Sequence, residues 1–159
     1  MDLMNSNLSV AIVYGSVTGN TKELAQVIYR IFWSKAVKVS IFRIEEFSIS
    51  DLCHFDALAI GTYTWGKGDI PKEMWPIYNA IESMSRNDMA TAVFGTGDSC
   101  YHIFCGAVDQ FRDMLYVHSN LAATLKVELR PQKQDLQRCK KFVEALLVRA
   151  NKNSYVGAK

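Results

Sequence analysis

The stretch LSVAIVYGSVTGNT, residues 8–21, joins an apolar run to a polar loop that carries no charge. The run is rich in β-branched residues and ends at a glycine, which is typical of a buried strand. The loop GSVTGNT, residues 15–21, contains three hydroxyl side chains, two glycines and one asparagine. Similar strand-sized apolar runs follow at residues 37–44, 55–63, 89–97 and 121–129. We predict that all of these runs form β-strands.

Segments with helical periodicity separate several of these runs. The first has the i, i+3, i+4, i+7 spacing of a buried helix face at Leu24, Val27, Ile28 and Ile31. A second helix is indicated between the fourth and fifth strands by Phe104, Val108, Phe111, Met114, Leu115 and Val117. A last helix is predicted over about residues 132–149. Strands that alternate with helices predict an α/β fold, with a parallel sheet and helices on both faces.

Length and composition indicate one domain. With 159 residues and 49% hydrophobic content, the chain can bury one core, which we place at about residues 8–149, and we expect residues 150–159 to fray. No signal-peptide pattern or apolar run of membrane-spanning length is present in the sequence, so we expect a soluble, cytoplasmic protein. The four cysteines lack the spacing of a disulfide scaffold, and free thiols are expected.

Charge is distributed unevenly along the chain. Residues 126–159 contain nine Lys/Arg and three Asp/Glu, a balance of +6, which leaves −4 for residues 1–125 within a net charge of +2. A solvated basic face on the last helix is the favoured interpretation, and a docking surface for an acidic partner is the alternative. Nucleic-acid binding is disfavoured, because no recognition motif accompanies the charge.

Three loops follow the first, third and fourth strands, at residues 15–21, 61–71 and 95–102. In an open parallel sheet, ligands bind at this carboxyl edge, where the strand order reverses. The first loop precedes a helix, so unpaired backbone N–H groups and the positive end of the helix dipole would favour a phosphate there. Four side chains add donors: Ser16, Thr18, Asn20 and Thr21. The loop matches neither the P-loop nor the GxGxxG pattern.

Two aromatic side chains stand in the other loops. Trp65 lies among small residues in YTWGKGD, and Tyr101 lies in GDSCYH. Each could simply cap the core, but a pair flanking a phosphate-binding crevice favours a flat ring between them. An aromatic ring with a phosphate tail indicates a nucleotide ligand.

At this point the sequence resembles a known family. GSVTGNTKELA, GTYTWGKGDIPKEM and FGTGDSCYHIFCGAVD, in this order, are similar to the motifs of flavodoxins, over essentially the whole chain. The fifth strand lacks the insertion of long-chain members, so the chain resembles the short-chain type. The resemblance implies a doubly wound, five-stranded parallel sheet of order 2-1-3-4-5, one of the standard orders for such folds. It also implies an FMN cofactor.

The resemblance further implies which residues contact FMN. The phosphate would be held by the first loop, through Ser16, Val17, Thr18, Gly19, Asn20 and Thr21. Thr64 would lie along the ribityl chain, with Trp65 on one face of the ring and Tyr101 on the other. Backbone near Asp98 and Cys105 would meet the pyrimidine edge, and the Gly66 carbonyl would accept a hydrogen bond from the protonated flavin N5. The remaining implied contacts are Thr62, Tyr63, Thr96, Gly97, His102 and Phe104.

The implied function is electron transfer without a catalytic residue or a metal. FMN would cycle between semiquinone and hydroquinone at low potential, and the protein would substitute for ferredoxin. Ferredoxin-NADP reductase or a similar protein would be the donor and an unidentified reductive enzyme the acceptor, with the carrier a monomer that contacts neither nucleic acid nor membrane. The alternatives on this fold are an FMN-dependent NAD(P)H quinone reductase and an activator of ribonucleotide reductase.

Two features of the third and second loops bear on this function. Cys100, His102 and Cys105 could suggest a metal site, but three ligands without a fourth are a weak zinc pattern. Lys67 and His102 stand where flavodoxins typically carry acidic residues. We therefore expect the second one-electron reduction to be less difficult than in acidic relatives.

Overall fold

The computed structural model describes residues 7–100 and 103–157. Its strands are β1 (Ser9–Tyr14), β2 (Lys38–Arg43), β3 (Ala57–Tyr63), β4 (Ala90–Gly97) and β5 (Asn120–Glu128). They form one parallel sheet in the order β2-β1-β3-β4-β5. The predicted fold class and strand order are confirmed.

Four α-helices connect or follow these strands. They are α1 (Asn20–Trp33), α2 (Trp75–Met84), α3 (Gly106–His118) and α4 (Leu136–Gly157). Shorter 3-10 turns occur at Ile44–Glu46, Ile49–His54, Lys72–Met74 and Lys133–Asp135. Among the described residues, no helix is both long and apolar enough to cross a membrane.

The central strand β1 shows why the sheet is covered on both faces. Val10 and Ile12 are fully buried in a core cluster with residues of α1 and α4. Ala11 and Val13 are equally buried in a second cluster with residues of α2 and α3. Alternate residues of a strand point to opposite faces, so a run buried on both faces is continuously apolar. The uninterrupted apolar pattern of residues 10–14 has this cause.

Helix α2 was not among the helices predicted from periodicity. It has ten residues, and only Ile77 and Ile81 are buried. A single i, i+4 pair is too short a pattern to distinguish a helix from a loop. Pro76 near its start is a signal that periodicity ignores, because proline suits the first turn of a helix.

Two other helix predictions differ from the structure. Phe104 precedes α3 rather than lying in it, and Val117 is exposed rather than part of its core face. Helix α4 follows the 3-10 turn at Lys133–Asp135 and continues to Gly157, beyond the predicted end near residue 149. Fraying of residues 150–159 stays a prediction.

The cysteines occupy two kinds of environment. Cys53 and Cys100 are exposed, and Cys105 and Cys139 are buried. All four are free, as predicted.

Strand register brings the three polar loops to one edge of the sheet. Tyr14 at the end of β1 pairs with Gly61 in β3, and Tyr63 at the end of β3 pairs with Thr96 in β4. The loops that follow these strands therefore start within a few residues of one another across the sheet. This edge is where the candidate site lies.

Candidate functional site

A cavity of about 390 Å³ opens between the three loops at the carboxyl edge of the sheet. This volume falls within the range of small-molecule and cofactor sites. Its described lining consists of Ser16, Val17, Thr18, Thr21, Tyr63, Thr64, Trp65, Gly66, Gly97, Asp98, Ile103 and Cys105. Ile103 is the one lining residue that sequence reasoning did not include.

The first loop is held in shape by the side chain of Ser16. Its Oγ accepts hydrogen bonds from the backbone N–H groups of Gly19, at 3.2 Å, and Lys22, at 3.3 Å. A hydroxyl that accepts two bonds still has its own hydrogen to donate. Gly19 precedes α1 with a left-handed φ of 97°, which glycine adopts without strain. Ser16 thus organises the loop and keeps a donor for a ligand.

Several backbone donors of this loop remain available. Within the described part of the chain, no protein group accepts a hydrogen bond from the N–H groups of Val17, Thr18, Asn20 and Thr21. Successive free N–H groups at a helix start bind anions, and the helix dipole adds to the attraction. The predicted phosphate loop therefore has the donors that such a ligand needs.

Thr21 has a second role in the structure. Its side chain is almost fully buried, and its Oγ1 lies 2.7 Å from Thr96 Oγ1 in β4. This bond ties the first turn of α1 to the neighbouring part of the sheet. Asn20, the first residue of α1, is half-buried and lies outside the cavity lining.

A positive charge also reaches the loop, and sequence reasoning missed it. Arg43, the last residue of β2, donates from Nη2 to the carbonyl oxygen of Ser16 at 3.1 Å. Its guanidinium carbon lies 5.8 Å from the centre of the Tyr14 ring, and its Nε lies 3.6 Å from Glu45. Because β2 pairs with β1 in the predicted order, the end of β2 could have been placed beside this loop.

The second loop forms a tight turn. The N–H of Trp65 donates to the Asp69 carbonyl at 2.8 Å, and the N–H of Asp69 donates to the Trp65 carbonyl at 2.7 Å. Gly66 and Gly68 both have left-handed φ values, 54° and 100°. The Trp65 side chain is 63% exposed at the cavity, so its ring face is available to a ligand.

The third loop packs closely on the start of α3. A Cβ at Gly97 would lie 2.8 Å from the Cys105 sulfur, so any larger residue there would force Cys105 or the loop to shift. Asp98 Oδ1 accepts a hydrogen bond from the N–H of Cys100 at 2.9 Å, which closes a local turn. Tyr101 and His102 lie outside the described residues, so their contacts with a flavin stay predictions, and so does the expectation that His102 belongs to no metal site.

Comparison with known proteins decides the family. The flavodoxin family model matches residues 12–142. The chain is a short-chain flavodoxin. It is 34% identical over 143 residues to probable flavodoxin 1 of Bacillus subtilis, covering 88% of this chain and 90% of that one. The flavodoxin of Maridesulfovibrio salexigens is 32% identical over 130 residues, with coverages of 79% and 89%. The structure of flavodoxin 1 from Bacillus cereus has a TM-score of 0.80 at 30% identity, with coverages of 88% and 97%.

Flavodoxins are FMN-binding electron carriers, and the resemblance found in the sequence is confirmed. In this flavodoxin, some predicted cofactor contacts lie behind the cavity lining. Thr62 is fully buried and donates from Oγ1 to the Tyr63 carbonyl at 2.8 Å, and buried Thr96 bonds Thr21. Phe104 is half-buried against the core cluster that includes α2 and α3. These residues support the loops from inside the protein.

Two lining groups of the flavodoxin site have shifted pKa values, and both shifts are upward. Burial, together with a hydrogen bond from its hydroxyl to Glu73, raises the pKa of Tyr63 above the ordinary value. Burial raises the pKa of the Cys105 thiol to about 12. Both side chains therefore stay neutral at pH 7, and neither is poised to exchange protons with a ligand.

Proposed function

We propose that this flavodoxin holds one FMN in the cavity and carries single electrons at low potential. The flavin would cycle between semiquinone and hydroquinone, and the protein would substitute for ferredoxin. The observation that supports this most directly is the pairing of two features at one cavity. A loop of free backbone N–H groups lies at one side, and an exposed tryptophan lies at the other. The bound flavin supplies the redox chemistry, and the chain supplies binding, orientation and electrostatics.

The phosphate would lie in the first loop. The free N–H groups there and the hydroxyls of Ser16 and Thr18 are all donors, as a phosphate dianion requires. Arg43 adds a positive charge from behind the loop, at the Ser16 carbonyl. The loop itself is uncharged, so most of the binding energy would come from hydrogen bonds and the α1 dipole.

The ring would lie at the other end of the cavity. Trp65 offers an exposed aromatic face, and Ile103, which is 48% exposed, adds an apolar surface. Thr64 lines the cavity beside Trp65, in a position suited to the ribityl chain. Stacking of Tyr101 on the second face is part of the proposal.

Gly66 would provide the group that distinguishes the oxidation states. Its φ of 54° lies in a region that β-branched residues avoid, so the turn depends on glycine at this position. We propose that its carbonyl accepts a hydrogen bond from flavin N5 once that nitrogen carries a hydrogen. A hydrogen bond that can form in only one oxidation state of the flavin stabilises that state selectively.

Electron exchange would occur through the exposed end of the cavity. Val17, Trp65 and Ile103 are all exposed apolar residues there, and exposed Lys67 lies at the same edge. We propose ferredoxin-NADP reductase or a similar protein as donor and a reductive enzyme as acceptor, with the carrier acting as a cytoplasmic monomer. A small mouth with exposed apolar residues and a lysine at its edge suits brief contacts with more than one protein.

An FMN enzyme on this fold is the alternative. A quinone reductase would have to admit a hydride donor over the ring, whereas an electron carrier needs only an exposed ring edge. If Trp65 and Tyr101 stack on the two faces of the ring as proposed, neither face is open to a hydride donor, and this arrangement favours the carrier.

Flavin titration of the apoprotein tests the proposal. We expect one FMN per chain, with FAD bound far more weakly, because the proposed phosphate site is a closed loop at the start of α1. We also expect no steady oxidation of NADPH or NADH by the FMN-loaded protein alone. FAD binding as strong as FMN binding would contradict the proposed site, and steady turnover would favour the quinone reductase.

A further inference from the structure

The turn formed by residues 65–69 is anchored to α3 by a side chain that does not line the cavity. Gln110 donates from Nε2 to the carbonyl oxygen of Gly68, at 2.7 Å, in a partly buried position. This is a short bond for a neutral amide donor. It links the second half of the turn to the body of the protein.

A close backbone contact reinforces this anchor. A Cβ at Gly106 would lie 2.7 Å from Gly68 Cα and 2.8 Å from its carbonyl oxygen, so the turn and the helix touch through two glycines. Gly106 and Gln110 are four residues apart in α3 and so lie on the same helix face. That face therefore supplies both the van der Waals contact and the hydrogen bond.

The first half of the turn is held as well. Thr64 Oγ1 accepts a hydrogen bond from the N–H of Ala107 at 3.2 Å, which satisfies one of the free donors at the start of α3. Trp65 and Asp69 are paired through two backbone hydrogen bonds. In the part of the chain that the structure describes, no hydrogen bond engages the backbone of Gly66 or Lys67. The turn is thus fixed on both sides of its tip.

We propose that Gln110 is a positioning residue that confines peptide reorientation in this turn to the Gly66–Lys67 unit. By holding the Gly68 carbonyl on α3, it keeps that carbonyl from competing with the Gly66 carbonyl for the hydrogen on flavin N5. Gln110 thereby sets the separation between the two one-electron potentials of the flavin. This inference rests on the proposed function and assigns a specific part of it to a residue outside the cavity.

The inference is tested first without flavin. Gln110→Met keeps the length and approximate volume of the side chain but removes the donor, and Gln137→Met, on the exposed face of α4, is the matched control. Tryptic cleavage after Lys67 in the full-length apoprotein measures opening of the turn, because cleavage tracks the open population. Loss of a neutral hydrogen bond should raise that rate about tenfold, and Gln137→Met should leave it unchanged.

Potentiometric titration of the FMN-loaded proteins is the second readout. In Gln110→Met we expect the equilibrium constant for comproportionation, in which one oxidised and one two-electron-reduced flavin give two one-electron-reduced flavins, to fall about tenfold. The separation between the two potentials then narrows by about 59 mV. FMN affinity of the oxidised protein should change by less than about twofold, because the phosphate loop is untouched. A merely destabilising substitution would not alter the potentials of the folded protein.

The possible results are separable. If Gln110→Met leaves both the cleavage rate and the potentials at wild-type values, the positioning role is overturned. If it fails to fold, Gln110→Leu replaces it, since an aliphatic side chain cannot donate to the Gly68 carbonyl, adds no charge and should give the same two changes. If the wild type binds no FMN, the proposed function and the assigned effect on the potentials both fail, and the cleavage rate then decides only whether Gln110 holds the turn.

Discussion

Replacing Thr18 with valine should separate the recognition of FMN from that of riboflavin. Thr18 is exposed in the first loop and lines the cavity, and none of the hydrogen bonds between described residues engages its hydroxyl. Valine has nearly the same shape but cannot donate a hydrogen bond. The substitution therefore removes a donor for the phosphate and, among the described residues, leaves no group without its partner.

The expected size of the effect follows from the charge of the phosphate. A hydrogen bond to a charged group contributes about 1.5–3 kcal/mol, which corresponds to roughly 10- to 150-fold in the dissociation constant. Riboflavin has no phosphate, so its affinity should change by less than about twofold. Quenching of flavin fluorescence during titration of the apoprotein measures both constants.

Thr21→Val is the informative comparison, because Thr21 is buried and bonded to Thr96. Loss of the Thr21 hydroxyl leaves the Thr96 hydroxyl unsatisfied. It should lower the free energy of unfolding by about 1–3 kcal/mol, measured by urea denaturation. The double variant Thr21→Val/Thr96→Val should recover part of that loss. Thr18→Val should leave unfolding almost unchanged. If Thr18→Val weakens riboflavin as much as FMN, the phosphate does not lie in this loop.

Two further predictions concern the tip of the second loop. Gly66→Val should narrow the separation of the two one-electron potentials, because valine is strained at a φ of 54°. Gly66→Asn should stay nearer to the wild-type separation, since asparagine tolerates a left-handed φ. Equal potentials for the two variants would argue against backbone strain as the cause. Lys67→Asp should make the second one-electron potential more negative by a few tens of millivolts at low ionic strength. The shift should be smaller at high ionic strength, because Lys67 is exposed and salt screens its charge. An unchanged or raised potential at low ionic strength would show that the charge at this position does not set the second potential.

Much of the fold could be predicted because its signals are local. Strand β1 is apolar from Val10 to Tyr14 since this part is buried on both faces, and the apolar runs of the other strands end where polar loops begin. The strand order was predicted from the resemblance of three sequence motifs to those of flavodoxins. The structure has that strand order, and the three motifs lie at one edge of its sheet. Helix α2 escaped prediction because its short buried face leaves almost no periodic pattern.

The loops of the candidate site were also predictable, but their internal bonding was not. Free N–H groups before α1 follow from a strand, a glycine-containing loop and a helix in succession. In contrast, the sequence could not show that Thr21 bonds Thr96 across 75 positions of the chain. This bond depends on a distance that forms only when the strands are assembled into the sheet.

The amino-acid sequence by itself thus determined the five strands, three of the four α-helices, the three loops and the residue types available for a phosphate and an aromatic ring. Only the tertiary structure decided which distant side chains support those loops. Arg43 reaches Ser16 from the end of β2, and Gln110 reaches Gly68 from the second turn of α3. Neither residue belongs to a motif, because each acts through one long-range hydrogen bond to a backbone carbonyl, and such a bond leaves no periodic or local pattern in the sequence.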